Sequence, residues 1–351
     1  MNRELNAYRL IDLFNSRILA KPISEDLNCY MNSLIKCLYY IPELREFFIK
    51  NNSNFKENQR VCKIFAKIMY NLKFNTSKHF NAEELEEMID NKNNELISGR
   101  ANDSKCLFSS LIDSFLFELN NNKNDDYEDN DNDDDDDFEV DYEDNDDNER
   151  NYDYSNKKQL FDLAEKEIDK NNIINELFLC FYETEYKCKN YILTNIYSFQ
   201  NEYFISFNLE KIKNYFKKED ISLTQCFEYF CRKQKGTEFY CNKCNKNEKS
   251  YCYDKIYRAP LILVIVLNKG NENKFDGILM YEPNLDLTNF IDEKNSKFGK
   301  KYKIISIPKQ YSACSLTDSG YYFLSDTFTC NVRKTQLQRD EPFLLFYRRI
   351  D

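Results

Sequence analysis

Between Asp125 and Glu149 the chain carries 17 acidic residues and no basic one. No other feature limits the fold so strongly, because a segment this charged cannot bury enough apolar surface to offset the entropy of ordering it. Residues 120–156 are therefore predicted to be a solvated, low-complexity insertion. The folded structure must be built from what lies on either side. The run also dominates the charge balance: with −11 for the whole chain and −17 for the run, everything else sums to +6. The folded part is thus mildly basic. An acidic block could attract a basic partner such as a histone, but plain solvated loops share this composition.

The half before the insertion is patterned for helices. The spacing predicts Leu5 to Leu19, a helix opening at Cys29 and stopped by Pro42, and Glu43 to Lys50. It also predicts Arg60 to Leu72, where Val61, Ile64, Phe65, Ile68 and Met69 share a face. Asn81 with Glu84 forms a capping box, and Phe80 can staple against Leu85. Asp103 to Leu119 closes this half with an apolar stripe of Leu107, Leu111, Ile112, Phe115, Leu116 and Leu119.

After the insertion, Leu160 to Ile173 is predicted to be a helix, and the pattern then turns to strands. Tyr203 to Leu209 alternates, while Leu261 to Leu267 is an unbroken aliphatic run that suits a strand covered on both faces. Tyr302 to Ile307, Tyr321 to Leu324 and Phe343 to Arg348 are further strands. Helices followed by strands imply an α+β architecture with a cleft between the halves. With six Gly in the chain, no nucleotide-binding glycine pattern exists.

The chemically loaded stretch is Cys29-Tyr30-Met31-Asn32-Ser33. With Asn28 as N-cap, Cys29 falls in the first helical turn, where the positive end of the macrodipole favours a thiolate. Taken alone, the same residue reads as a buried inert thiol. Thirteen cysteines would imply disulfides only in a secreted chain. Residues 1–20, however, carry Arg3, Glu4, Arg9, Asp12 and Arg17 and do not form a signal sequence. The longest apolar run, Pro260 to Leu267, is too short to span a bilayer. These readings predict a soluble intracellular protein, in cytoplasm or nucleus, with reduced thiols and no membrane partner. One His, no Trp and abundant Asn, Lys, Ile, Tyr and Phe fit drift toward AT-rich codons.

Cys241-Asn242-Lys243-Cys244 has zinc-knuckle spacing, and tetrahedral zinc needs four ligands. Cys188 is the best upstream partner, although Tyr191 stands where its second cysteine is expected. Cys180, Cys226, Cys231 and Cys252 are candidates for the fourth thiolate. A structural zinc on Cys188, Cys241 and Cys244, and a decayed site packed as ordinary side chains, are both open readings.

In order along the chain, the Cys29 stretch, Asn102-Asp103-Ser104 at a helix start, the cysteine pair, Ala259 to Asn268 and the closing Phe343-Leu344-Leu345-Phe346-Tyr347 resemble the ubiquitin-specific proteases. The resemblance spans nearly the whole chain. It implies a papain-like cysteine protease fold with a helical thumb (1–119), β fingers with the start of the palm (157–258) and a β palm (259–351). Ubiquitin would lie across the palm, its C-terminal tail threaded toward Cys29.

Carried over residue by residue, the resemblance puts the nucleophile at Cys29. The oxyanion-binding Asn is replaced by Ser24, and Asp26-Leu27-Asn28 stands for the usual Gly-Asn-Thr. Loss of an oxyanion donor costs about 2.7 to 4 kcal/mol of transition-state stabilisation. Asn102 and Asp103 fall where the substrate tail is held, and only the Asp is retained. The general-base His is replaced by Tyr321, within Gly320-Tyr321-Tyr322, and an upstream palm His by Gln310. Asp326 and Asn331 are candidates for the third triad position. A phenol with a reference pKa of about 10 is a poor base at neutral pH. The only His, His79, lies ahead of the Asn81 cap and reads as a surface loop residue.

The sequence thus predicts a catalytically inactive or severely impaired deubiquitinase acting as a ubiquitin-binding or scaffold protein, with no catalytic cofactor. The alternative is an active thiol-dependent deubiquitinase with Cys29 as nucleophile. No clustered basic and aromatic stripe points to nucleic acid.

Overall fold

A computed structural model describes residues 29–74, 83–90, 104–120, 157–166, 168–187, 195–241, 244–269, 275–291, 299–309, 312–317, 320–325, 329–333, 337 and 342–351. The first helix of these, α1 (Cys29–Tyr39), is followed by α2 (Pro42–Lys50), α3 (Arg60–Phe74), α4 (Glu83–Asp90) and α5 (Ser104–Asn120). Their apolar faces meet in one core. Phe48 lies between Phe65 and Phe115, with ring centroids 4.8 and 4.9 Å away. The buried Glu118 of α5 accepts hydrogen bonds from the Val61 and Cys62 amides at 3.1 and 2.9 Å. A carboxylate at the donor end of α3 satisfies amides that have no partner within that helix.

The predicted helix from Leu160 to Ile173 is instead two helices, α6 (Lys157–Lys166) and α7 (Ile173–Phe178). The reason is local: Asn172 caps α7, its side chain accepting from the Ile174 amide at 2.9 Å. An N-cap residue has extended backbone and cannot continue a helix from upstream.

Beyond α7 the chain forms two main sheets. The strands are β1 (Cys180–Lys187), β2 (Asn195–Glu202), β3 (Ile205–Asn208), β4 (Ile221–Ser222), β5 (Gln234–Cys241), β6 (Lys246–Arg258) and β7 (Ile262–Asn268). They continue with β8 (Leu279–Met280), β9 (Asn284–Asp286), β10 (Lys301–Lys309), β11 (Ser312–Thr317), β12 (Gly320–Ser325), β13 (Thr329–Val332) and β14 (Leu344–Arg349). Helices α8 (Leu209–Phe216) and α9 (Leu223–Phe230) lie between β3 and β5. A four-stranded sheet has the order β2-β1-β6-β5. An eight-stranded sheet runs β13-β12-β11-β10-β14-β7-β3, with β9 paired to β10. These are fingers and palm.

Strand β7 meets its expectation. Ile262, Val264 and Val266 point into the core shared with the thumb helices. Leu263, Ile265 and Leu267 point into a second core on the opposite palm face, shared with α8 and α9. Each such side chain contributes about 1.5 to 3 kcal/mol when fully buried. An ion pair, Arg348 to Glu43, joins palm to thumb, with Nη1 donating to Oε2 at 2.8 Å. No helix among the described residues is long and apolar enough to cross a membrane.

Candidate active site

Cys29 is the first residue of α1, as its sequence predicts. The helix behind it is embedded on nearly every side. Met31, Leu34, Ile35, Cys37 and Leu38 are buried, and so are Asn32, Ser33 and Lys36. It packs on β10 and β11 of the palm, where Ser306 Oγ donates to the Cys37 carbonyl at 3.3 Å. The helix is therefore held between the other thumb helices and the palm strands. The second cysteine of the helix is inert by contrast. Burial holds the Cys37 thiol far above its ordinary pKa, so it stays protonated.

Asn32, one turn after Cys29 and so on the same side of the helix, is 5% exposed. Its Oδ1 has no partner among the described residues.

Tyr321 lies on β12, whose first residue, Gly320, has φ +131°, a conformation that a side chain would strain. Strand alternation then decides where the two tyrosines point. Tyr322 faces the thumb core with α1, whereas Tyr321 faces the opposite palm core with Leu337, Leu345 and Tyr347. The Tyr321 hydroxyl donates to the Ile304 carbonyl at 3.1 Å. Burial pushes its pKa up to about 12. The phenol is thus ionised even less at neutral pH than free tyrosine, leaving almost no phenolate to accept a proton, and its hydroxyl is already engaged with the backbone. Asn331 on β13 pairs with Tyr322 across the ladder and is exposed. Ser24, Asn28, His79, Asn102, Asp103, Gln310 and Asp326 lie outside the described residues.

At the fingers, Cys241 ends β5 opposite Lys246, and Cys244 sits in the turn between, so the pair occupies the tip. The strand register corrects the expected fourth ligands. Cys252 pairs with Gln234, six residues down β6 from Lys246 and so about 20 Å from the tip. Cys231 precedes β5, Cys226 lies on α9 and Cys180 starts β1, all at the base. Cys188 lies outside the described residues. Among those described, no three His, Cys, Asp or Glu side chains form a group able to hold a metal. The two tip cysteines alone fall short of a zinc ligand set.

A feature that the sequence reading missed is a buried Glu183 on β1, 2.5 Å from the Lys157 ammonium of α6. Nothing in the strand, which also carries Glu185 and Lys187, marks Glu183 out as the buried charge.

A family model described as ubiquitin carboxyl-terminal hydrolase matches residues 25–347. Ubiquitin carboxyl-terminal hydrolase 5 of Arabidopsis thaliana is 23% identical over 152 residues, which are 38% of this chain and 16% of that protein. Ubiquitin carboxyl-terminal hydrolase 36 of Drosophila willistoni is 23% identical over 211 residues, 55% of this chain and 15% of that protein. The chain thus matches less than a fifth of the length of these curated relatives. Among solved structures, the SAGA DUB module of Ubp8, Sgf11, Sus1 and Sgf73 bound to monoubiquitin superposes with a TM-score of 0.68 at 15% identity, over 96% of this chain and 70% of that one. The same module bound to ubiquitin aldehyde gives 0.66 at 16% identity, over 96% and 70%.

Proposed function

Because this chain belongs to the ubiquitin carboxyl-terminal hydrolase family, we propose that it binds ubiquitin, free or attached to a protein, while its hydrolase chemistry is lost or severely impaired. The observation that supports this most directly is Tyr321. At this position, which the sequence resemblance sets against the family's general base, stands a phenol buried in the palm core away from α1, its pKa pushed up to about 12 and its hydroxyl donating to the Ile304 carbonyl.

The consequence follows from what isopeptide cleavage demands. A thiol must lose its proton to attack the carbonyl, and the departing lysine amine must gain one. The helix dipole at Cys29 helps the first requirement. It does nothing for the second. Ser24 in place of the oxyanion donor weakens the intermediate further. A bound ubiquitin tail would therefore sit beside a thiol without the groups that complete acyl transfer. The acidic run from Asp125 to Glu149, opposite in sign to the mildly basic remainder, suits a second, basic partner.

The test uses ubiquitin carrying a C-terminal electrophile, with Cys29→Ala as control. Saturable binding without rapid adduct formation is expected. Rapid labelling that requires Cys29 would establish the active thiol peptidase instead.

A further inference from the structure

Helix α6 ties the end of the acidic run to one face of the fingers. It docks there through Phe161, whose ring lies 5.1 Å from that of Phe181, 5.6 Å from Phe199 and 4.5 Å from Tyr257. Lys157, the first residue of the helix, pairs with the buried Glu183 and stands over the Tyr197 ring at 5.3 Å. Strand register defines the rest of that face. Glu183, Glu185 and Lys187 alternate along β1 and lie opposite Lys255, Tyr253 and Tyr251 of β6, so all six side chains share the side that receives Lys157.

Outward from the helix this face carries a surplus of positive charge. Lys187 stands over the Tyr253 ring at 4.9 Å, and Lys233 over the Tyr251 ring at 3.7 Å. Glu183 is taken by Lys157, while Glu185 is shared between Lys187 at 3.7 Å and Lys255 at 3.9 Å. Among these side chains, Lys187, Lys233 and Lys255 therefore share one carboxylate. The Lys187 and Lys255 side chains remain 49% and 45% exposed. Asp254 does not compensate them, because it faces the other way, accepting from Thr184 Oγ1 at 2.8 Å and Gln234 Nε2 at 2.7 Å.

We infer that the acidic run from Asp125 to Glu149 docks in cis on this lysine and tyrosine face, its carboxylates pairing with Lys187, Lys233 and Lys255. The run brings 17 acidic residues to a face with positive charge in surplus, and Glu149 stands eight positions before Lys157. Eight residues reach up to about 29 Å, whereas Lys187 is only about 13 Å along β1 from Glu183, the partner of Lys157. So short a tether holds the run at an effective concentration on the order of millimolar, an advantage over any separate acidic chain. A basic partner would compete with the three lysines for the run. The inference does not depend on ubiquitin binding.

Carbodiimide coupling of carboxylates to amines in the whole wild-type chain, mapped by mass spectrometry, tests it. Apart from links to the neighbouring Lys157 and Lys158, links from residues 125–149 within the monomer should fall mainly on Lys187, Lys233 and Lys255. They should drop severalfold between about 0.1 M and about 1 M salt, as the Debye length shrinks from about 10 to about 3 Å. Links spread over exposed lysines elsewhere, such as Lys50, Lys217 and Lys218, overturn the inference, as do links confined to a cross-linked dimer or indifferent to salt. Lysine acetylation rates give a second reading. Changing the run's acids to Asn and Gln should speed labelling of Lys187, Lys233 and Lys255 severalfold relative to Lys217 and Lys218. Equal acceleration at all of these lysines, or none, overturns the docking.

Discussion

The Tyr321 phenol has a single evident role in the fold, donation to the Ile304 carbonyl from within the palm core. Tyr321→Phe should therefore cost about 1 kcal/mol of stability near pH 7, measurable by chemical denaturation. The pH dependence has a definite sign. The folded-state pKa, about 12, lies above the unfolded value near 10, so the wild-type contribution is complete below pH 10 and is lost as pH climbs from 10 to 12. The gap between wild type and Tyr321→Phe should close over that interval, whereas a constant gap would contradict the assignment. Tyr321→His is expected to restore no hydrolysis of a fluorogenic ubiquitin amide. Its imidazole would be directed into the core opposite α1, and the loop from Ser24 to Asn28 would still depart from the family pattern.

Elements are held by contacts that local pattern reveals unequally. Glu118 reaches from α5 to the start of α3, and removing a side chain that accepts two helix-terminal amides costs about 1 to 2 kcal/mol. Glu118→Ala should lower the thermal midpoint, while Glu118→Gln, which keeps one acceptor oxygen, should recover part of the loss. Nothing around Glu118 in sequence signals this, because its partners lie 56 and 57 residues away. Amphipathic thumb helices were readable because a 3.6-residue period records burial directly. The same rule, applied across Lys166 to Asn172, joined α6 to α7 because apolar spacing alone does not register an Asn cap. In the fingers, β1 and β2 carry no simple alternation: Phe181 and Phe199 pack toward α6, while Cys180 and Tyr182 of β1 face the palm core, so both faces of β1 are covered. Cys29 was placed correctly because an N-cap and an apolar stripe agree there. The distance of Cys252 from the finger tip is a matter of strand register, which spacing between cysteines does not encode.

At the scale of the molecule, thumb and palm share one core, and α6 with Ile168, between α5 and α7, is an addition to it. Among the described residues of 121–171, none is a buried member of the thumb and palm core or of the core on the remote palm face; α6 and Ile168 pack on the small cluster at the finger base. With Asn120 and Asn172 hydrogen-bonded, a linker of about three residues can bridge them, each spanning up to about 3.6 Å. Replacing residues 121–171 by such a linker should leave a cooperative unfolding transition, because loop shortening lowers closure entropy while both large cores are retained. The deletion should nevertheless expose Phe181, Phe199 and Tyr257 and leave Glu183 without Lys157, raising binding of a hydrophobic dye. Lys157→Ala in the full chain isolates the charge component, since it strands the buried carboxylate and leaves the aromatic cover in place. That single change should destabilise the fingers more than removal of the pair by Glu183→Gln with Lys157→Met, read as hydrogen exchange in β1 and β6. Equal exchange in the two variants would mean that the aromatic contacts alone hold α6, and that the ion pair contributes little to the dock.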